Sequence, residues 1–575
     1  MVDHHADPPV HRAAPLHDAP PGRQPDRAAR AALGLPTDLD NASVAARLEA
    51  FAALLDLAET TPYAARAYRR AAATIRDTPA QILELVRQGR EQELRGIGPG
   101  IAAKLRELAA TGEIAELEEL RSRARPELVG LGRLLGIAPQ RMVEIATALD
   151  VETPDDFRRA AAEGSLQRVP GIGPSTERKI LERLAAEPGR PRQGLLLPTA
   201  RDLVEGIAAA LGGEISGDPR RWADISFDLA VVVPSARPAE AIDAFARLPQ
   251  IVTVVERTER FALGVTIEGA PVALHVPEPS RFGTELVRAT GAAAYVEALG
   301  PLPDASDERA VFAALGIPWC PPELREEAFR GQPPSLVELD DVRGDLHCHT
   351  TWSDGRASVL EMATAARDLG HEYLAICDHT PSVRVVPGLD AEALRRQADE
   401  IRKANEQLAP FRVLRGVEVD ILPAGGLDLP DDVLAELDWV QLSLHAGQRE
   451  AGRSLTAKVV EAMRHPAVRC LSHPKGRILT RRPPNALELE TVIGVAFEHG
   501  VALEVNGLPS RLDLAGPDVR LAVEAGVPVV VSTDAHSVAG LGNLRLAVAT
   551  ARRGWATTAD VLNTRPLDEV LAHRR

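Results

Sequence analysis

The chain has 575 residues, 45% hydrophobic and 26% charged, which is enough apolar material for several buried cores and excludes global disorder. Lys and Arg number 66 against 82 Asp and Glu, so the formal charge of -16 excludes a uniformly basic nucleic-acid binder while allowing local basic faces. The four cysteines (Cys320, Cys348, Cys377, Cys470) make no C-x-x-C pair, which excludes a disulfide scaffold and a thiolate zinc knuckle. No run reaches the roughly 18 apolar residues of a membrane span, and the start MVDHHADPPV is not a signal peptide, so a cytoplasmic protein is expected.

Residues 1–38 are rich in Pro, Asp, His and Arg without periodicity and read as a disordered tail. His4, His5, His11 and His17 have no compact frame there to fix a metal geometry. From Asn41-Ala42-Ser43, a candidate cap, apolar residues Val44, Leu48, Phe51, Leu54 and Leu55 follow helical spacing. A second helical stretch, Tyr63 to Arg70, carries Arg66, Arg69 and Arg70, which with Arg76 offer a local basic face or an ordinary solvated one. Then Arg95-Gly96-Ile97-Gly98-Pro99-Gly100 opens a helix containing Lys104, and Val169-Pro170-Gly171-Ile172-Gly173-Pro174 opens another containing Lys179. This is the helix-hairpin-helix signature, twice. The glycines let backbone N–H groups approach a phosphate, and the helix N-terminus favours its charge. Gly96, Gly98, Gly100, Lys104, Gly171, Gly173 and Lys179 are therefore candidate DNA-backbone contacts, which hold a duplex without reading its sequence.

The helical run is expected to end around Gly194-Leu195-Leu196-Leu197-Pro198. Leu229 to Val233 and Ile251 to Val255 read as short buried strands, helices return near residue 305, and Pro321-Pro322 and Pro333-Pro334 mark a connection. From Gly344 onward strand-like runs (Tyr373–Cys377, Val501–Val505, Val527–Val531) alternate with helical ones, which predicts parallel strands with crossover helices in a barrel-like α/β domain.

The strongest chemical signal is Asp345-Leu346-His347-Cys348-His349-Thr350-Thr351-Trp352-Ser353-Asp354-Gly355. On a strand, His347 and His349 point to one face, so two imidazoles converge on one ion. His379, Glu418, His445, His473, Asp534 and His536 each fall at or just after a strand-like run, where such barrels place their chemistry. His371, His465 and His499 lie in helical or connecting stretches and are assigned no role. The ligand set exceeds one tetrahedral ion, so two or three divalent metals are expected, with Zn, Mn and Fe all suited to mixed imidazole and carboxylate donors. Clustered metals suit phosphate-ester hydrolysis, and His347, His349, Asp354, Glu418, Asp534 and His536 are the candidate catalytic residues. Lys475 and Arg477, just after His473, are candidate phosphate contacts, a surface pair being the alternative.

From about Asn41 to the C-terminus the chain resembles bacterial family-X DNA polymerases (PolX) with a C-terminal PHP (polymerase and histidinol phosphatase) domain. The resemblance implies a multidomain protein: an α-helical helix-hairpin-helix N-terminal region, an α+β nucleotidyltransferase-like palm and a C-terminal α/β seven-stranded PHP barrel. The expected divisions are 39–120 for the N-terminal DNA-binding domain and 121–193 for a fingers-like domain with the second hairpin. A palm at 194–295, a thumb-like segment and linker at 296–338 and the PHP domain at 339–575 follow. It implies a trinuclear site with Mn favoured: one metal on His347, His349, Glu418 and Asp534, a second on Glu418, His445 and His473, and a third on Asp354, His379 and His536. It further implies 3′–5′ exonuclease activity with related 3′-end cleaning. Lys104 falls where relatives place a Schiff-base lyase lysine, a phosphate contact being the simpler role.

The palm departs from the family. Members carry Gly-Ser-x-Arg-Arg, then Gly-Asp-x-Asp, then an Asp on a neighbouring strand. Here the positions read Gly217-Asp218-Pro219-Arg220-Arg221, then Phe227-Asp228-Leu229-Ala230, with Ala273 in the third place. Asp228 alone cannot hold the two Mg ions of nucleotidyl transfer, Asp218 and Asp224 are out of register, and Asp218 sets negative charge where the triphosphate would sit. Phe282-Gly283 and Thr290-Gly291 keep the family pattern, so the palm fold is expected to survive without polymerase activity. The expected protein is a monomeric, cytoplasmic, metal-dependent 3′–5′ exonuclease of DNA repair, nucleoid-associated and acting on gapped, nicked or 3′-ended DNA. The alternatives are an active gap-filling polymerase, a small-molecule phosphatase resembling histidinol phosphatases, and a DNA-end-binding adaptor.

Overall fold

The computed structural model describes residues 41, 44–45, 47–48, 51–52, 55, 62–76, 82–94, 96–116, 128, 130–132, 135–137, 139–185, 194–266, 269–383 and 386–573. The tail 1–38 with its four histidines, Ala42-Ser43, Leu54 and Arg95 lie outside the described residues, as does the Arg76 side chain. The chain divides into two compact units, Met1–Ala124 and Arg125–Arg575.

In the first unit, helical residues between 41 and 55 precede helices α1 (Pro62–Arg76), α2 (Ile82–Arg87) and α3 (Pro99–Thr111). Val44, Leu48, Phe51, Ile75, Ile82 and Leu105 are buried, the apolar stripe that the spacing predicts. Asn41 does not cap its own helix; it lies within it, and its Oδ1 accepts from Ile82 N at the start of α2 (2.8 Å). Gly98 is the N-cap of α3, with Pro99 at the first helical position and left-handed Gly112 (φ 80) closing the other end.

The second unit begins with α4 (Pro139–Leu149), α5 (Pro154–Ala162) and α6 (Pro174–Ala185), around buried Met142, Phe157, Leu166 and Ile172. Thr153 and Asp156 close a reciprocal capping box at the head of α5. The helical run does not end at Pro198: after a two-residue strand β1 (Leu195–Leu196), Pro198 sits in the first turn of α7 (Leu197–Leu211), where its missing N–H has no helical partner to lose. Strands β2 (Glu214–Gly217), β3 (Ile225–Ser226) and β4 (Leu229–Val232), helix α8 (Pro238–Ala246), and strands β5 (Ile251–Arg257), β6 (Phe261–Thr266) and β7 (Pro271–His275) follow. They form a five-stranded sheet ordered β2-β4-β7-β6-β5, in which only β4 and β7 pair in parallel. Helices α7 and α8 bury one face through Val204, Ile207, Ile242 and Phe245. Helices α9 (Phe282–Thr290), α10 (Ala293–Leu299) and α11 (Glu308–Ala314) come well before or near the expected return at residue 305.

The C-terminal sheet has seven parallel strands in sequence order: β8 (Gly344–Cys348), β9 (Tyr373–Ile376), β10 (Arg412–Asp420), β11 (Trp439–Ser443), β12 (Cys470–Leu471), β13 (Ala502–Asn506) and β14 (Val529–Ser532). Hydrogen bonds from Asp534 N to His347 O (2.9 Å) and from His349 N to Ala535 O (2.8 Å) bring the two edges together into a nearly closed barrel. The strands are apolar on both faces, as a sheet covered by crossover helices requires. The last long helix, α12 (Leu544–Arg553), packs on β13 and β14. All four cysteines are free and buried. No helix among the described residues is long and apolar enough to cross a membrane.

Candidate metal centre

Six of the seven barrel strands deliver predicted ligands at their C-terminal ends: β8 (His347, His349), β9 (His379), β10 (Glu418), β11 (His445), β12 (His473) and β14 (Asp534, His536). Asp354 arrives on the loop after β8. Glu418 is at the middle of the cluster. One of its oxygens lies 2.9 Å from His473 Nε2 and 3.6 Å from His445 Nε2; the other lies 2.9 Å from His379 Nδ1 and 3.7 Å from His347 Nε2. His349 Nε2 stands 3.1 Å from Asp534 Oδ1 and 3.2 Å from His347 Nε2. His536 Nε2 stands 3.2 Å from Asp354 Oδ2. His347, His349, Glu418, His473 and Asp534 are buried, whereas Asp354, His445 and His536 are partly exposed, so the site has a closed floor and an open mouth.

Three groups of donor atoms could each hold an ion: His347, His349 and Asp534; His379, Glu418 and His445; and His349, Asp354, His379 and His536. The grouping differs from the resemblance in two places. His379 stands with Glu418 and His445 as well as with Asp354, and His349 joins the Asp354 set. The donors suit a divalent cation, because His349 Nδ1, His445 Nδ1 and His473 Nδ1 are buried without a hydrogen bond. Burial pulls His379 down, but the charges of Glu418 and Asp354 outweigh it and lift the imidazole to about 10. Burial alone would raise Glu418, yet the surrounding His445, His379 and His347 hold its carboxyl well below the usual range. His349 is lowered, chiefly by burial, and so is His473, where the charge of Arg511 adds to burial.

The seventh strand, β13, supplies what the motifs did not reveal. Glu504 is buried, and its Oε1 lies 2.6 Å from His347 Nδ1, which turns His347 Nε2 toward Glu418. Glu504 also accepts from His473 N (2.6 Å), Ser532 Oγ (2.6 Å) and Gln441 Nε2 (3.0 Å), tying three ligand-bearing strands together. Asn506 Nδ2 donates to Asp534 Oδ2 (3.0 Å), leaving Oδ1 toward His349. His473 (φ 24) and Asp534 (φ 52) both hold a left-handed backbone, a strained conformation that the surrounding bonds maintain. The signal in sequence was a Glu inside the apolar run Ala502-Leu503-Glu504-Val505, since a buried acid needs partners.

Lys475 and Arg477 require correction as phosphate contacts. Lys475 Nζ donates to Leu487 O (2.9 Å), and the buried Arg477 donates to Asp224 Oδ2 (2.7 Å) and to Leu512 O. Arg511 is the cation at the centre instead, its Nε 3.7 Å from Asp534 Oδ2.

The two hairpins repeat one geometry. A short 3₁₀ turn (Glu91–Glu93 or Ser165–Arg168) leads to a left-handed glycine, Gly96 (φ 92) or Gly171 (φ 82), then to a buried isoleucine. A Cβ added at Gly98, Gly100 or Gly173 would meet open space, so internal packing does not demand glycine there and the backbone is approachable. Lys179 is exposed, as are Arg66, Arg69 and Arg70. Lys104 is bound to Glu116 (3.0 Å) and Glu107 (3.2 Å); burial lowers it, but these carboxylates raise it overall, the reverse of what a Schiff-base lysine needs.

In the palm, Ala230 of β4 pairs directly with Ala273 of β7. Asp218 does not face a vacant phosphate position; it folds back onto Phe227 N (2.6 Å), Asp228 N (2.9 Å) and Arg221. Arg220 makes a two-pronged pair with Glu308 (2.8 Å each), and Arg221 donates to Thr290 O (2.6 Å) and Glu326 (3.2 Å).

A helix-hairpin-helix domain is matched by residues 39–114, a SAM-like helix-hairpin-helix tandem by 128–186 and a PHP domain by 345–481. Along most of its length the chain is similar to the DNA polymerase/3′-5′ exonuclease PolX of Bacillus subtilis (strain 168), 32% identical over 569 residues that cover 91% of this chain and 97% of the relative. The barrel alone is similar to a probable phosphatase of Acetivibrio thermocellus (31% over 202 residues, 33% of this chain and 78% of the relative). It is also similar to one of Photobacterium profundum (31% over 210 residues, 35% and 80%). Two hairpin domains ahead of a mixed sheet and a metal-binding type of barrel define a DNA-binding protein with a PHP domain. The chain belongs to the PolX family, in the form that carries its PHP barrel at the C-terminus.

Proposed function

We propose that this protein hydrolyses phosphodiester bonds at DNA 3′ ends in a metal-dependent 3′–5′ reaction, and that it has no polymerase activity. The observation that carries the reading is the cluster of His347, His349, Asp354, His379, Glu418, His445, His473, Asp534 and His536 around one buried carboxylate. These residues would hold two or three divalent ions, Mn favoured by the resemblance. Bound ions supply Lewis acidity and a water acidic enough to attack at neutral pH. The chain's own residues do the positioning. Glu504 fixes the His347 ring, Asn506 orients Asp534, and partly exposed Asp354, His445 and His536 leave the mouth open to a strand end. Residues 39–120 and 121–193 grip DNA through their hairpins, 194–295 and 296–338 serve as scaffold, and 339–575 carries out the cleavage. The protein acts as a cytoplasmic monomer on gapped, nicked or 3′-ended DNA.

Loss of polymerase activity rests on the palm. Asp228 has Ala230 and Ala273 where partner carboxylates would stand, and Arg220 and Arg221 are held by Glu308, Glu326 and Asp218 rather than presented to a triphosphate. One assay panel on the full chain with Mn and with Mg tests both halves. The expected result is 3′ shortening of recessed, gapped or single-stranded DNA, abolished by His347→Ala, with no template-directed incorporation. DNA left intact would overturn the nuclease reading; incorporation lost on Asp228→Ala and insensitive to His347→Ala would overturn the other. The likeness of the barrel to probable phosphatases favours a second reading, a small-molecule phosphatase. Turnover of histidinol phosphate without any DNA cleavage would establish it.

A further inference from the structure

The mouth of the barrel carries residues that the ligand cluster does not use. Three successive loops on its C-terminal face each bring one arginine: Arg449 after β11, Arg482 after β12 and Arg511 after β13. The loops are joined to one another, Asn485 Nδ2 donating to Gln448 Oε1 (3.0 Å) and Leu479 N to Ser510 O (2.7 Å). Arg482 Nε donates to Gly476 O (2.8 Å), which fixes its stem while leaving it without an acidic partner among the described residues. Arg449 is exposed and has no ion pair among them either. Arg511 has only Asp534, at 3.7 Å, and that carboxylate belongs to the centre. Arg477, in the same loop as Arg482, is in contrast neutralised by Asp224.

These cations are close enough to disfavour one another: the Arg482 guanidinium is pushed below its ordinary value by burial and then by the charges of Arg511 and Arg449. Like charges gathered on adjoining loops, in a chain of net charge -16, are stabilised when an anion lies among them. Guanidinium groups suit phosphate oxygens through their planar forks. A monophosphate needs one such contact, whereas a row of three beginning at the centre and leading outward suits successive phosphates of a chain.

We infer that Arg511 holds the phosphate lying at the metal centre and that Arg482 and Arg449 hold the neighbouring phosphates of a single nucleic-acid strand. The assignment of Arg511 rests on the hydrolytic reading above; strand binding by Arg482 and Arg449 does not. The test uses the full chain. In EDTA, where no cleavage occurs, binding of fluorescein-labelled dT5 is followed by anisotropy across a salt series. Arg449→Gln with Arg482→Gln weakens it about tenfold and lowers the slope of log K against log salt by about 1.4, at roughly 0.7 per phosphate contact on a single strand. The double Lys variant keeps the slope, which separates lost charge from lost fold. With Mn present, Arg511→Gln lowers kcat for 3′ shortening at least 30-fold, while the double Gln variant mainly raises KM. Unchanged dT5 affinity and salt slope in the double Gln variant overturn the inference. So does an equal loss of inorganic phosphate binding, which would mark a monophosphate site. Wild-type protein that binds dT5 through these arginines yet cuts no DNA would sink the hydrolytic reading and leave strand binding standing.

Discussion

The barrel and the palm both set charged residues at the ends of parallel strands, and they treat those charges in opposite ways. In the barrel, imidazoles and carboxylates face inward with donor atoms left over: His349, His445 and His473 each keep a buried nitrogen without a hydrogen bond. In the palm, Asp218, Arg220, Arg221 and Glu308 are tied into one another, and the strand pair that would present carboxylates presents Ala230 and Ala273. Unfilled donors in a buried site call for a ligand, whereas saturated ones build a framework. The two regions of one chain thus illustrate how pairing, and not charge content, separates a centre from a scaffold.

The sharpest way to break the comparison is to remove a donor from the barrel. His347→Ala is expected to reduce metal-dependent DNA cleavage by about a thousandfold or more, measured by single-turnover 3′ shortening, with circular dichroism unchanged; comparable rates would place the chemistry elsewhere. Next comes the palm framework. Glu308 is pushed up by burial, but Arg220 and Arg325 hold its carboxyl down at about 2. Its folded value lies below its unfolded one, so its contribution is complete above the ordinary carboxylate range and fades as pH falls toward 2. Glu308→Gln should therefore cost about 3 kcal/mol in chemical denaturation at pH 7, with a clearly smaller gap at pH 3; a gap independent of pH would show that the charge is not what matters.

Between these regions stands Glu504, which touches ligands without being one of the expected set. Glu504→Gln should lower metal affinity by roughly 10–100-fold, read by equilibrium dialysis with Mn, because His347 loses its acceptor; unaltered uptake would mean that the ring is held by packing alone. The smallest expected effect lies outside both regions. Lys179→Ala should weaken duplex binding only a few-fold and reduce its salt slope by about 0.9, with nuclease chemistry on a short single strand untouched.

Much of the centre was legible because ligand side chains recur at strand ends: the Asp345–Gly355 motif and His379, Glu418, His445, His473, Asp534 and His536 all reach one cluster. The hairpins were legible for a similar reason, since only glycine readily takes the backbone of Gly96 and Gly171. What escaped was anything set by distant pairing. Glu504 reads as one polar residue in a strand until β13 is known to border β12 and β14. Arg477 reads as a phosphate contact until Asp224, from the turn before β3, is seen beside it. Pro198 reads as a stop, although a proline also suits the first turn of a helix.

That turn has a further consequence. Asp224 receives both Arg477 (2.7 Å) and Arg553 of α12 (2.8 Å), and all three side chains are largely shielded from water. Arg477 stands four positions beyond His473, so a palm residue braces the strand end that bears a ligand. A barrel cut free at residue 339 would leave two guanidiniums without their carboxylate and a ligand loop without its brace. A palm stripped of its own reaction would on this account be kept by inheritance for mechanical reasons: the catalytic neighbour leans on it.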